Sequence, residues 1–175
     1  INEEVAHGVA TNRKIGKDDL VKVDISIQHD NGYCTDMCRT VYMGNNPERQ
    51  NLVDTAKACV DAVLVDLKAG DSVQKIGKII DETALERGTF VEERLMGHGI
   101  GTTLHELPNI PNTFNVAQLL TSHRLQDGEV ICIEPIILHT KTQVYLSGYV
   151  YVSGTGAHAA QYEDTVVVKK DGVIN

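Results

Sequence analysis

The chain has 175 residues, a length that fits one domain with a core of its own. Its net charge is −8 and it has no basic tract, so neither nucleic acid nor an anionic membrane surface is an expected partner. No apolar run approaches the about 20 residues of a membrane-spanning helix, and the 4 cysteines lack zinc-type spacing, which predicts reduced thiols in a cytoplasmic protein.

The first predicted element is a β-hairpin over residues 21–43, VKVDISIQHDNGYCTDMCRTVYM. Each of its two β-branched runs contains an aspartate, Asp24 or Asp36, although aspartate is disfavoured in strands. With the turn centred on Asp30, the two carboxylates lie directly opposite each other, and like charges in such a pair destabilise a sheet. A bulge at Gly32 would change the pairing. A shared proton or a bound cation would relieve the repulsion, whereas a solvent-facing polar side would leave both carboxylates hydrated.

Period-two alternation divides the side chains of this hairpin between two faces. Cys34, Asp36 and Cys38 share one face of the second strand, so both thiols are expected near the carboxylates. The apolar residues of the first strand share the face that Asp24 does not occupy: Val21, Val23, Ile25 and Ile27.

Two helices are predicted after the hairpin. Asn46 can cap the first, Asp71 or Ser72 can cap the second, and Gly88 ends it. Strand-like segments follow in EVICIEPIIL, QVYLSGYVYV and AAQYEDTVVV, so the order of elements predicts an α+β fold with a largely antiparallel sheet. Apolar residues at helical spacing form an inward stripe on each helix: Leu52, Ala56, Cys59, Val60, Val63 and Leu67 on the first, and Val73, Ile76, Ile80 and Ala84 on the second.

Three more ionisable residues lie inside apolar or glycine-rich segments. Glu134 interrupts VICIEPIIL, Glu163 lies in QYEDTVVV, and His98 stands between glycines in MGHGIG, with His105 seven residues later. Taken singly, a strand glutamate usually faces water, and a lone histidine is more often a hydrogen-bonded core residue than a ligand. Together with the hairpin aspartates they form an oxygen-rich set that suits two hard or borderline divalent ions about 3.5–4 Å apart. The glycines beside His98 are expected to allow close approach, since a helix rather than a strand precedes them.

Six motifs of the chain occur in the order found in the pita-bread metallopeptidases: NEEVAHGV, VDISI, CTDMCRT, GHGIGTTLHELP, IEP and QYEDT. The chain most resembles the type I methionine aminopeptidases of bacteria, and the resemblance covers nearly its whole length. It implies an α+β pita-bread fold, a curved and largely antiparallel sheet with flanking helices. Residues 1–175 would form a single metallopeptidase catalytic domain that lacks its N-terminal segment.

The resemblance also implies a dinuclear metal centre. Asp36 and Glu163 would bridge the two ions, and His98 and Glu134 would hold one of them. The implied cofactors are two divalent metal ions, for which Mn, Fe, Co and Zn all suit these donors. The five implied ligands are Asp24, Asp36, His98, Glu134 and Glu163.

The implied reaction removes the N-terminal methionine from newly made proteins, using water activated by the two ions. Glu134 would take a proton from that water and pass it toward the leaving amine. His7 and His105 match the family's two non-ligand active-site histidines and would donate hydrogen bonds to the substrate. The expected partners are N-terminal peptide segments of nascent proteins in the cytoplasm, and the expected state is a monomer.

Two alternatives stay open at this point. Asp164 follows Glu163 where this type of aminopeptidase usually carries histidine, and CTDMCRT and EDT are similar to the Xaa-Pro peptidases of the same fold. NEEVAHG, which contains His7, favours methionine aminopeptidase instead. The second alternative is a non-catalytic pita-bread module that binds peptides. Such modules typically lose ligands, and this chain keeps all five implied positions, which favours the enzyme.

Overall fold

The structure, a computed structural model, describes residues 1–115 and 122–175, and in these ranges two helices pack on antiparallel sheets. The helices are α1 (Pro47–Asp66) and α2 (Val73–Glu86). The strands are β1 (Glu4–Ala6), β2 (Leu20–Gln28), β3 (Cys34–Tyr42), β4 (Phe90–Val91), β5 (Gly97–Gly99), β6 (Glu106–Ile110), β7 (Val130–Ile133), β8 (Ile136–Leu138), β9 (Val144–Ser147), β10 (Val150–Ser153), β11 (Ala159–Lys169) and β12 (Gly172–Ile174).

The predicted helices and their buried stripes are confirmed. Asn46 caps α1 by accepting hydrogen bonds from the amides of Glu48 and Arg49, and Ser72, rather than Asp71, caps α2. All ten residues of the two predicted apolar stripes are buried. Within the described ranges, neither helix combines the length and the hydropathy of a membrane span.

The main sheet follows the order β2-β3-β11-β7-β5-β6. In addition, β12 and β8 pair with β11, and β4 pairs with β8. A second sheet has the order β1-β10-β9. Every named strand pairing in the described residues is antiparallel, which confirms the predicted α+β class. The segment predicted as one strand in EVICIEPIIL is divided into β7 and β8, because Pro135 has no N–H to donate at the break.

The predicted register of the first hairpin is wrong, because its turn is centred one residue later than Asp30. The His29 amide donates to the Tyr33 carbonyl at 2.8 Å, so the connection centres on the residue after Asp30. Its Gly32 has a φ of 86°, a left-handed conformation that glycine adopts without strain. As a result Asp24 pairs with Cys38, and Asp36 pairs with Ser26. The two carboxylates still share a face but are diagonal neighbours.

In an ordinary half-buried sheet the apolar face is buried and the polar face is exposed. In this hairpin the apolar face is the more exposed one. The interpretation in which both aspartates point into water is wrong for Asp36, which is only 8% exposed and lines a cavity. Asp24 is exposed and lines the same cavity. The apolar face is the open one: Val23, Ile25 and Ile27 are 46%, 47% and 51% exposed. Helix α1 packs mainly on β11 and less extensively on β3.

The ion pair between Arg39 and Asp164 lies where α1, β3 and β11 meet. Arg39 Nη2 donates to Asp164 Oδ1 at 2.5 Å, and the guanidinium carbon stacks 3.9 Å from the centroid of the Tyr162 ring. Arg39 also donates to the backbone carbonyl of Glu163. Asp164 is buried, and Asn175 Nδ2 donates to its second oxygen at 2.8 Å. This partner set accounts for an aspartate at the position that follows Glu163.

Replacing Arg39 with alanine is expected to lower the free energy of unfolding by about 1–3 kcal/mol, because it leaves a buried carboxylate without its cation. Urea unfolding monitored by circular dichroism measures the change. The control is Lys57→Ala, which removes a cation from an exposed pair on α1 and should cost less than about 0.5 kcal/mol. Equal midpoints for the Arg39 variant and the parent would contradict the role given to this pair.

Candidate metal centre

One cavity of about 550 Å³ collects all seven residues that the sequence indicated. They arrive from β2, β3, β5, β11, the β7–β8 break, the residue after β1 and the turn before β6. The seven lining residues are His7, Asp24, Asp36, His98, His105, Glu134 and Glu163.

Glu134 and Glu163 are the carboxylates that lie directly opposite each other in the sheet. β11 pairs with β7 and with β8 in one continuous register, so Glu134, in the gap between them, faces Glu163. On the other side of Glu163 lies Cys38, and Asp24 is the next residue along this row. Opposed like charges destabilise a sheet unless a proton is shared or a cation lies between them. The direct opposition of two carboxylates, which the sequence predicted between β2 and β3, therefore occurs instead between Glu134 and Glu163.

Asp36 is held in place by both its side chain and its backbone. Its Oδ1 accepts hydrogen bonds from Ser26 Oγ and from the Met37 amide, each at 3.0 Å. The hydroxyl of Thr165 accepts from the Asp36 amide at 2.9 Å and donates to the Asp36 carbonyl at 2.7 Å. These contacts orient the carboxylate toward Asp24 and Glu163, and ligand oxygens of the three residues lie within 4.8 Å of one another.

His98 presents one ring nitrogen to the carboxylates. Its Nδ1–H donates to the carbonyl of Gly99 at 2.9 Å, which leaves the lone pair on Nε2. Nε2 lies 3.6 Å from Glu134 Oε1. Burial lowers the pKa of His98, so the ring is neutral at neutral pH and able to bind a metal. A Cβ at Gly97 would lie 2.2 Å from the Cys132 carbonyl, so close packing of β5 on β7 requires glycine there.

The carboxyls of Glu134 and Glu163 are strongly desolvated. Burial, followed by the charges of Asp24 and Asp36, raises the pKa of Glu134 above its ordinary value. Burial and then the Glu134 charge raise the pKa of Glu163 in the same way. Gln161 is also buried, and its Nε2 donates to Glu134 Oε2 at 3.2 Å. Without a cation, this pair of carboxyls therefore retains protons at a pH where an exposed glutamate is ionised.

His7 stands at the rim of the cavity in a left-handed backbone conformation, with a φ of 58°. Tyr151 packs against it edge-on, with 5.4 Å between ring centroids. The segment that carries His7 is fixed to the sheet by Asn2, whose Oδ1 accepts from the Leu20 amide at 2.9 Å. The contact with Tyr151 and the anchoring by Asn2 therefore fix the position of His7, although its side chain is exposed.

His105 lines the same cavity from the turn that precedes β6. Its ring packs edge-on against His98 with 4.4 Å between centroids. Both His7 and His105 are exposed, in contrast to the buried His98. Two accessible histidines thus line the same cavity as the buried carboxylates of Asp36 and Glu163.

The donor atoms are of the kinds that divalent metal ions bind. Ligand atoms converge in two groups that share Glu163: one of Asp24, Asp36 and Glu163, and one of His98, Cys132 and Glu163. Carboxylate oxygens and a neutral imidazole are the donors that Mn, Fe, Co and Zn accept, and a shared carboxylate can bridge two such ions.

Three residues of this site were not identified from the sequence: Gln161, Thr165 and Cys132. Each lies two positions from a predicted ligand, so period-two alternation along β11 and β7 placed them on the same face. The alternation could therefore have identified these residues. Glutamine, threonine and cysteine are, however, not unusual in strands, so their types alone did not indicate a site.

The metal-free protein is expected to lose stability as pH rises from about 5 to about 8. The pKa values of Glu134 and Glu163 are raised from 4.5 by folding, so the folded state binds more protons than the unfolded state in this window. Their stabilising contribution is complete below the unfolded pKa and is lost as pH rises through the folded pKa. Melting temperatures measured in EDTA and in excess Mn²⁺ test this; a flat or rising curve in EDTA would contradict it.

Comparison with known proteins agrees with the motifs. Residues 1–170 match metallopeptidase family M24. A methionine aminopeptidase of Staphylococcus epidermidis is 34% identical over 176 residues, which cover 98% of this chain and 69% of the relative. The crystal structure of a methionine aminopeptidase from Thermotoga maritima has a TM-score of 0.91 at 28% identity and covers 99% of this chain and 70% of that one.

The likeness to the Thermotoga maritima structure confirms the predicted pita-bread fold. A prolidase from Pyrococcus furiosus is a more distant match, with a TM-score of 0.72 at 26% identity over 98% of this chain and 45% of that one. The match over residues 1–170, the sequence relative and the structural likeness agree, and the chain belongs to metallopeptidase family M24.

Proposed function

We propose that this protein is a methionine aminopeptidase, with residues 1–175 as its catalytic domain. It would act as a monomer in the cytoplasm and remove the N-terminal methionine from newly made proteins. The observation that carries the proposal is the cavity that gathers five ligand-type residues and two histidines in a chain 34% identical to a methionine aminopeptidase. Likeness to a methionine aminopeptidase structure at a TM-score of 0.91, against 0.72 for a prolidase, favours this function over Xaa-Pro cleavage.

The proposed cofactors are two divalent ions. Asp24 would hold one, His98 and Glu134 would hold the other, and Asp36 and Glu163 would bridge the two. When bound, the ions supply an activated water and stabilise negative charge on the carbonyl oxygen of the substrate. They would also relieve the opposition of Glu134 and Glu163 across the sheet.

Glu134 is the proposed proton carrier. It lies between Gln161, which donates to its Oε2, and His98, whose Nε2 is 3.6 Å from its Oε1. Burial favours the protonated carboxyl and a bound cation favours the carboxylate, so the group can accept a proton from water and release it to the leaving amine. Gln161 would keep the carboxyl in one orientation during both transfers.

His7 and His105 are the proposed substrate contacts, since both are accessible and line the cavity. Their ring N–H groups would donate to the peptide carbonyl and to the oxygen on which charge develops. Apolar side chains also line the cavity, among them Leu95, Leu104 and Ile136. These are suited to an unbranched apolar side chain such as that of methionine.

The test is release of free amino acid from Met-Ala-Ser and from Ala-Pro peptides by the chain loaded in turn with Mn²⁺, Fe²⁺, Co²⁺ and Zn²⁺. Release of methionine from Met-Ala-Ser, with little cleavage of Ala-Pro, is the expected result. Cleavage of the proline peptides alone would assign the chain to the Xaa-Pro peptidases. Binding of Met-Ala-Ser without release, under all four metals, would make it a peptide-binding module.

A further inference from the structure

Cys132 lies at the candidate metal centre, although it is not one of the five ligands implied by the family motifs. Its side chain is 0% exposed, and its Sγ contacts Thr165 Oγ1 at 3.5 Å. It alternates with Glu134 along the chain, which directs both side chains to the cavity side of the sheet. A thiol in this position faces the carboxylates rather than the apolar core under α1 and α2.

Cys132 converges with two other buried donors. A ring nitrogen of His98, the Sγ of Cys132 and a carboxylate oxygen of Glu163 lie within 4.8 Å of one another. Ions such as Zn²⁺ hold nitrogen, oxygen and sulfur ligands at about 2.0–2.3 Å, so three donors spaced in this way need little movement to share one ion. His98 already directs an unprotonated Nε2 into the cavity, because its Nδ1–H donates to Gly99.

The two groups of donors differ in chemical softness. The group of Asp24, Asp36 and Glu163 has oxygen donors alone, which suit hard ions such as Mn²⁺. The group of His98, Cys132 and Glu163 adds nitrogen and sulfur, which suit Zn²⁺, Co²⁺ and Cd²⁺. Because Glu163 belongs to both groups, an ion in one position lies beside an ion in the other.

We propose that Cys132 is an additional metal ligand, which makes the His98 end of the centre a nitrogen–sulfur–oxygen site for a thiophilic divalent ion. The proposal rests on the two-ion centre proposed above. On binding, the Cys132 thiol gives its proton to solvent and the thiolate joins His98 and Glu163 around the ion. The other end, with oxygen ligands only, retains its preference for a harder ion, so the two positions discriminate between metals.

The test is a titration of the metal-free chain with Co²⁺, followed by calorimetry for stoichiometry and by near-ultraviolet absorption for sulfur-to-cobalt charge transfer. The parent is expected to bind two Co²⁺ ions and to develop the charge-transfer band. Cys132→Ser should bind Co²⁺ without that band, and it should bind Cd²⁺ at least about tenfold more weakly, the lower end of the effect of losing a group that only supports a ligand.

Cys38→Ser is the matched variant, because Cys38 is also buried and lies beside Glu163, but outside both groups of donors. It should keep the band. Two bound Co²⁺ ions without a band in the parent would overturn the role of Cys132 and leave the two-ion centre intact. A band that disappears in Cys38→Ser and persists in Cys132→Ser would also overturn it. Absence of Co²⁺ binding in the parent would overturn both proposals.

Discussion

Replacing Glu134 with glutamine is expected to lower kcat for a Met-Ala peptide by about 10²–10⁴-fold, the usual contribution of a general acid–base group. Glutamine keeps the size of the side chain and can still accept a hydrogen bond from Gln161 Nε2. It cannot accept a proton from water or deliver one to the amine. KM should change little, because the loss is confined to the transition state.

The control for this variant is Glu93→Gln, the same substitution at an exposed glutamate that pairs with Lys141 away from the cavity. It should have parental kcat. Both variants are assayed under saturating metal, so that weaker metal binding is not mistaken for slower chemistry. A Glu134→Gln variant with near-parental kcat would remove this residue from the mechanism.

Asp36→Asn is expected to weaken binding of one of the two ions by at least about 100-fold, since losing a ligand exceeds the effect of losing a group that only supports one. The amide removes a charge from the group formed with Asp24 and Glu163 while it keeps the shape of the side chain. Calorimetry should therefore show one tight site in place of two. Turnover should fall with it, because the activated water needs both ions.

Asp30→Asn serves as the control, because Asp30 is exposed in the turn of the same hairpin and does not line the cavity. It removes the same charge from the same pair of strands and should keep two sites. Unchanged stoichiometry in Asp36→Asn would show that the hairpin does not supply a ligand.

The fold was largely predictable because its signals are local. The caps of α1 and α2, their apolar stripes and the alternation in β2, β3 and β11 all follow from neighbouring residues in the sequence. The hairpin register was missed because it depends on the turn. The His29 amide donates to the Tyr33 carbonyl, so the centre of the turn lies one residue after the predicted centre at Asp30. Since that shift moves the pairing by two residues, every side chain kept its predicted face.

The composition of the site was predictable in part, for a different reason. A charged residue inside an apolar strand conflicts with the strand pattern, and this conflict indicated Glu134 and Glu163. Gln161 and Cys132 cause no such conflict. Alternation places them on the same face as the ligands, but only the pairing of β7, β8 and β11 shows that they lie at the site. The opposition of the two glutamates across β11 also depends on long-range pairing, which local patterns do not specify.

Anomalous scattering from crystals of the chain grown with Mn²⁺ tests the central claim most directly. Two peaks about 3.5–4 Å apart are expected in the cavity, with carboxylate oxygens of Asp36 and Glu163 as ligands to both. Asp24 should complete one position, and His98 and Glu134 the other. A cavity without a peak, or a single peak that Glu163 does not contact, would contradict the dinuclear centre.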